Sequence, residues 1–162
     1  MDNNFVNDDQ YFNTWALLNQ ARDAIFKTMV KELNGSRITV IEAAALFIIQ
    51  AIGDEATPAE ISRWMFREPH TVSVLLSRME RKGLIRKSND LHRKNLVRVS
   101  LTEKGKEAYH KSTTRQSIHN ALSALSKEEL KQLGSYLARL RDKAIAELKI
   151  DYNLPFPPNV MV

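Results

Sequence analysis

Residues 57–102 read TPAEISRWMFREPHTVSVLLSRMERKGLIRKSNDLHRKNLVRVSLT. The stretch opens on Thr57-Pro58-Ala59-Glu60, where a Thr cap, a Pro at the first helical position and a Glu three residues after the cap satisfy or spare the orphan N–H groups of a helix start. Ile61, Trp64 and Met65 then recur at i, i+3 and i+4. A second helix is predicted over 69–82, with Val72, Leu75, Leu76 and Met79 on one stripe. Gly83 falls where a left-handed residue ends a helix, and Leu84 supplies the hydrophobic contact that follows. Residues 84–87 and 96–101 read as strands, and 88–95 between them is a polar turn-forming loop tipped with positive charge.

Two short helices, a glycine stop and two strands around a basic loop are the order of a winged helix-turn-helix. The fold class expected is therefore mainly α with a small β-wing, extended by long terminal helices. Helical geometry then gives the outward face of the second helix. At about 100° per residue, and with the apolar stripe inward, His70, Val74, Ser77 and Arg81 point away from the core, flanked by Thr71, Ser73 and Arg78. Short polar side chains let a helix backbone approach base edges in a major groove, and arginines reach guanine or phosphate. The same residues on an ordinary surface would simply be solvated. The adjacent wing, with Arg93 and Lys94, tips the reading towards double-stranded DNA.

Charge is distributed accordingly. Residues 60–100 hold ten Lys or Arg against four Asp or Glu, a net of +6, although the whole chain carries only +5. Residues 1–59 are net −4 and residues 101–162 net +3. A focused basic segment is what phosphate binding needs, because each neutralised phosphate releases condensed counterions. Membrane binding would need a basic amphipathic helix with bulky apolar residues opposite, and here the charge is spread over a helix and a loop instead.

The chain has 162 residues with 43% hydrophobic ones, enough for a core, and no apolar run nears the ~18 residues of a membrane span. Its N-terminus, Met1-Asp2-Asn3-Asn4, is polar and acidic, unlike a secretory signal. With no cysteine there is no disulfide, thiolate metal site or thiol switch, and the cytoplasm is the default compartment. The four histidines (70, 92, 110, 119) lack metal-ligand spacing, and no nucleophile elbow, phosphate-cradling glycine loop or zinc-protease motif is present. Neither an enzyme nor a cofactor is expected.

Outside 57–102 almost everything reads as helix. Tyr11, Trp15, Leu18, Ile25, Phe26, Met29, Val30 and Leu33 hold a helical period, interrupted on the stripe by Arg22, until Asn34-Gly35-Ser36. Thr39-Val40-Ile41-Glu42 is a second capping box, opening a helix that is apolar nearly all round and so expected to be central. Thr102-Glu103-Lys104-Gly105 begins a long helix expected to break at Ser126-Lys127-Glu128-Glu129, a third capping box. The tail at 151–162, with Pro155, Pro157 and Pro158, reads as extended. The expected organisation is one domain over 1–162, with dimerisation helices at 11–34 and 118–150 and a winged core at 39–102.

A winged helix of about 60 residues cannot cover two long terminal stripes. The simplest solution is a second copy of the chain, with Phe5, Val6, Tyr11, Phe12, Leu137, Leu140, Ile145, Leu148 and Phe156 as candidate interface residues. Pairing of the stripes within one chain is the alternative. A homodimer would set two recognition helices on one side, matching a palindromic site.

The order of elements, together with Leu75-x-x-Arg78-Met79-Glu80-Arg81-Lys82-Gly83-Leu84-Ile85 and Leu101-Thr102-Glu103-Lys104-Gly105, resembles the MarR family of bacterial transcriptional regulators over roughly residues 11–148. The resemblance implies a homodimer on duplex operators, with the recognition helix in the major groove and the wing at the minor groove. It also implies small phenolic or other aromatic acids as effectors, held between the dimerisation helices and the DNA-binding lobe. The family wing commonly reads D-x-x-D-R-R, whereas this chain has Asp90-Leu91-His92-Arg93-Lys94-Asn95. Arg93 or Lys94 therefore stands in for the family's minor-groove arginine, and Asp90 either orients Arg93 or simply forms the turn. For a small aromatic or apolar effector the candidate liners are Trp15, Leu18 and Phe47 for stacking and Arg37 for a carboxylate, against a plain core or surface role for each. The rival function is a winged-helix module that docks protein or ligand without reading DNA. Such a face should be apolar, and among residues 70–81 only Val74 is apolar on the exposed side.

Overall fold

The computed structural model describes residues 9–90 and 95–149. Its elements are α1 (Gln10–Glu32), α2 (Val40–Ile52), a 3-10 turn (Gly53–Glu55), α3 (Pro58–Met65), α4 (Pro69–Arg81), β1 (Ile85–Asn89), β2 (Val97–Leu101), α5 (Glu103–Ser112), α6 (Gln116–Leu122) and α7 (Lys127–Glu147). The chain is mainly helical with one two-stranded antiparallel wing, in which Ile85 faces Leu101 and Lys87 faces Val99. The candidate interface residues Phe5, Val6 and Phe156, the 151–162 tail, and His92, Arg93 and Lys94 lie outside the described residues.

Local chemistry sets the helix boundaries. Thr39 and Ser126 form reciprocal capping boxes with Glu42 and Glu129, while Thr57 caps α3 by accepting from the Glu60 N–H at 3.1 Å. Each such cap stabilises its helix by about 1 kcal/mol. Between α3 and α4 the chain turns through Phe66, a left-handed residue at φ 49°.

The core lies under the winged unit. Leu46, Ile49, Ile61, Val72, Leu76, Met79, Ile85 and Val99 interlock there with almost no exposed surface. The apolar stripe of α4 is thus its buried face, and α2 packs on α3, α5 and β2 as the central helix. Ala56 adds a short third edge to the wing, its carbonyl accepting from the Val99 N–H at 2.9 Å. The sequence carries no alternation there, because a one-residue edge has no period to show.

A knot of hydrogen bonds joins the end of α4 to the start of α5. The Thr102 hydroxyl donates to the Gly83 carbonyl at 2.6 Å, and Lys104 Nζ reaches the Lys82 carbonyl at 2.6 Å. Gly105 packs so tightly against this knot that a Cβ on it would sit 1.9 Å from the Leu84 carbonyl oxygen.

The post-wing region breaks once more than its sequence indicates. Besides the stop before Ser126, the chain turns at 113–115, where Arg115 is left-handed at φ 47°. Two tertiary contacts hold that turn. The Arg115 guanidinium stacks on the Phe47 ring at 4.5 Å, and the Glu32 carboxylate caps the first turn of α6. Both partners come from distant helices, so local periodicity could not reveal the break.

The described residues leave the terminal helices uncovered. Neither α1 nor α7 buries a single residue. α1 rests on α6, whereas α7 packs extensively on no other described element.

Candidate nucleic-acid interface

All seven α4 residues expected to face DNA, His70, Thr71, Ser73, Val74, Ser77, Arg78 and Arg81, are exposed. They alternate with the buried Val72, Leu75, Leu76 and Met79, so the core fixes the angle at which this face is shown. Val74 is 56% exposed and is a large apolar side chain on a face otherwise made of hydroxyls, imidazole and guanidinium groups. It suits contact with a thymine methyl group.

Two of these side chains are engaged. Ser77 accepts from Lys87 Nζ at 3.2 Å, and the same ammonium pairs with Glu80 at 3.3 Å. The Lys87 N–H also donates to Glu80 at 3.2 Å, so the first wing strand is fastened to the recognition helix. Arg78 reaches back to α2, its Nε donating to Glu42 Oε1 at 3.1 Å. Arg81 has no ion-pair partner among the described residues.

Glu42 is fully buried at the junction of α2 and α4. Burial alone would push its pKa up; the hydrogen bonds from Lys82 and the Thr39 N–H, with the charges of Lys82 and Arg78, hold it below the ordinary glutamate value. It therefore stays an anion, matched by cations it draws from the recognition helix. Lys82 and Glu42 were absent from the expected site because the signal is purely tertiary: 36 and 40 positions separate Glu42 from its two partners. Lys87 was missed because strand alternation says nothing of a diagonal reach to a helix.

At the base of the wing, Arg98 Nε bonds Asp90 at 2.7 Å and its Nη1 pairs with Glu55 at 2.7 Å. Those two carboxylates, Asp90 first, hold the guanidinium firmly charged. Asp90 thus braces the second strand, whatever else it contacts at the wing tip.

The four candidate effector residues do not share the cavity that Arg37 lines. That cavity, about 360 Å³, is walled by Ser36, Ile38, Lys82, Leu84, Lys104 and Lys111 and contains none of Trp15, Leu18 or Phe47. Phe47 is partly buried beneath Arg115, whereas Trp15 and Leu18 stand 58% and 43% exposed on α1. Among the described residues no three His, Asp or Glu side chains are grouped to hold a metal ion, and no helix is long and apolar enough to cross a membrane.

This frame recurs in known proteins. Residues 38–95, the central helix through the wing, match the sequence model of the MarR family. The organohalide-sensing RdhR transcriptional regulator, in its 2,4-dichlorophenol-bound form, superposes with a TM-score of 0.87 at 27% identity, covering 98% of this chain and 96% of that one. Over residues 38–95 the chain is similar to the MarR family in sequence. A probable transcriptional regulator from Pseudomonas aeruginosa is similar at 26% identity and TM-score 0.68, over 76% of this chain and 93% of that one. A mutant MarR from E. coli, complexed with operator DNA, shares the fold at 18% identity and TM-score 0.72, over 77% and 91% of the two chains. No curated protein matches in sequence. Two of these proteins are transcriptional regulators and the third is bound to operator DNA; this chain shares their winged-helix fold.

Proposed function

We propose that this protein is a transcriptional regulator of the MarR type, a cytoplasmic repressor that binds a pseudo-palindromic DNA operator as a homodimer. The observation that carries the reading is the pairing of an exposed, basic, core-anchored α4 face with two terminal helices that bury no residue among those described. Tyr11 is 89% exposed, Phe12 50%, Leu137 39%, Leu140 58% and Leu148 58%, while Ile145 is half-buried. A stripe of this kind on a 21-residue helix is stable in water only when covered, and a second copy offers the same stripe in return.

In this reading Thr71, Ser73, Val74 and Ser77 approach base edges, His70 and Arg81 lie towards the sugar–phosphate backbone, and Arg93 or Lys94 enters the minor groove. Repression follows from occupancy: a dimer seated on an operator excludes the transcription machinery from it. Selection of duplexes from a random pool tests the function directly. A recovered site with two half-sites about one helical turn apart is the expected result, and enrichment of no sequence would overturn it.

The proposal includes a small aromatic effector, supported by the dichlorophenol-bound neighbour. Such a ligand releases DNA only by preferring the conformation whose recognition helices are wrongly spaced. A panel of phenols and aromatic carboxylates titrated against the protein–operator complex should include at least one that releases DNA and quenches tryptophan fluorescence. Failure of the whole panel on both readouts would remove the effector from the proposal.

A further inference from the structure

Arg78 stands on the exposed side of α4, yet its side chain is gripped from behind. Glu42 Oε1 accepts from its Nε at 3.1 Å, while Glu42 Oε2 accepts from the Thr39 N–H at 2.8 Å and from Lys82 Nζ at 2.9 Å. The carboxylate is thus fixed by the start of its own helix and by two residues one turn apart on the recognition helix. It has no exposed surface, so water does not compete for these bonds. Arg78 lines a shallow groove together with Ile41, Thr71 and Val74.

A guanidinium is a rigid planar fork. When Nε is spent on an acceptor behind it, planar geometry turns the outer edge made by Nη1 and Nη2 about 120° away from that acceptor. Those two groups have no partner among the described residues, and the Arg78 side chain keeps 45% of its surface exposed. That outer edge is the one whose two parallel donors match O6 and N7 of guanine. Arg81, three residues further along and with no ion-pair partner among the described residues, suits a phosphate.

We propose that Glu42 is a positioning residue that aims the Nη edge of Arg78 at one guanine in each half-site. This rests on the DNA-reading function proposed above. The α2–α4 clamp, and not the free rotamer choice of Arg78, then determines specificity at that base pair.

The test uses the full-length protein and the duplex it selects, with affinities measured for that duplex and for versions substituted at each guanine, the modified base 7-deazaguanine included. Arg78→Ala should reduce preference at one guanine per half-site by roughly ten-fold or more, the range of a bidentate contact. Glu42→Gln, which keeps the shape of the side chain and an acceptor for the Thr39 N–H, should lose preference several-fold at the same base pair. The double variant should lose no more than Arg78→Ala alone. Thr39→Ala serves as the structural control, since it weakens the cap without touching the clamp: it should lower Tm and leave the guanine preference intact.

Should Glu42→Gln fail to fold, Arg78→Lys carries the test. A lysine retains the charge but has no Nε to grip and no outer edge to present, so overall affinity should largely persist while guanine preference is lost. Uniform weakening on all duplexes by Glu42→Gln, additivity in the double variant, or guanine preference retained by Arg78→Lys would each overturn the proposal. Wild-type protein that selects no duplex at all would overturn the proposed function itself, a distinct outcome from a selected site whose guanine preference ignores Glu42.

Discussion

Glu32 and Ser117 are joined twice across 85 positions: both the amide N–H and the hydroxyl of Ser117 donate to Glu32 Oε2. The other oxygen accepts from the Thr114 hydroxyl at 2.8 Å and the Gln116 N–H at 2.9 Å. A carboxylate at the end of α1 thus supplies the cap that α6 cannot find in its own sequence, where Arg115 occupies the N-cap without a side-chain bond. The long N-terminal helix and the path to α7 are thereby tied together.

Hydrogen bonds from the Ser117 hydroxyl and then its amide, outweighing a small cost of burial, lower the Glu32 pKa from 4.5 to about 2. A depressed folded-state pKa stabilises the fold above the unfolded value, and the contribution fades as pH falls from about 4.5 towards 2. Glu32→Gln should therefore lower Tm at pH 7 by about 2–4 °C, the size of a lost cap in a chain of this length. It should also flatten the acid dependence of Tm in that window. Thermal melts at pH 7, 4 and 2.5 check this, and parallel curves for the two proteins would count against the cap.

The dimer is tested on α7. Leu137→Glu combined with Leu140→Glu places charge on the exposed stripe and should halve the molar mass seen by light scattering at micromolar concentration. Interfaces of this type bury roughly 2,000 Å² or more, and two buried charges are not tolerated at their centre. Wild-type protein that runs as a stable monomer would remove the homodimer.

DNA binding should weaken steeply with salt. Each phosphate contact contributes a slope of about −0.9 in log affinity against log salt, so about six contacts per dimer give a slope near −5. Arg93→Ala should lower affinity across many sequences and make that slope shallower, because a wing cation reads phosphate and groove shape. If Arg93→Ala is silent and Lys94→Ala is severely impaired, the minor-groove residue is Lys94.

Gly105→Ala tests the junction behind the recognition helix. The added Cβ would meet the Leu84 carbonyl oxygen at 1.9 Å and its carbon at 3.0 Å, both backbone atoms that cannot step aside. Forced separation of α5 from the start of the wing should cost about 1–3 kcal/mol, read as an earlier midpoint in urea. An unchanged midpoint would mean that α5 shifts freely.

The winged unit was legible because its signals are local and periodic. Thr57, Pro58 and Glu60 mark a helix start by backbone chemistry, and Gly83 marks a stop at φ 70° that costs other residues more. The stripe Val72, Leu75, Leu76 and Met79 fixed the inward face of α4, and with it the exposed face, because 3.6 residues per turn leave no freedom once one side is buried. What α4 does with that face was decided elsewhere. Arg78 reads in sequence as one of several residues facing DNA, and only the approach of α2 puts Glu42 behind its Nε. Glu32 and Phe47 reach the turn at Arg115 in the same way, across many tens of residues. Sequence alone determined the buried face of α4 and the caps of α2, α3 and α7, since these depend on neighbours within a few positions. Tertiary structure alone decided which distant charges meet, because such an ion pair is set by distance in space, and long chain separation carries no period from which that distance could be read.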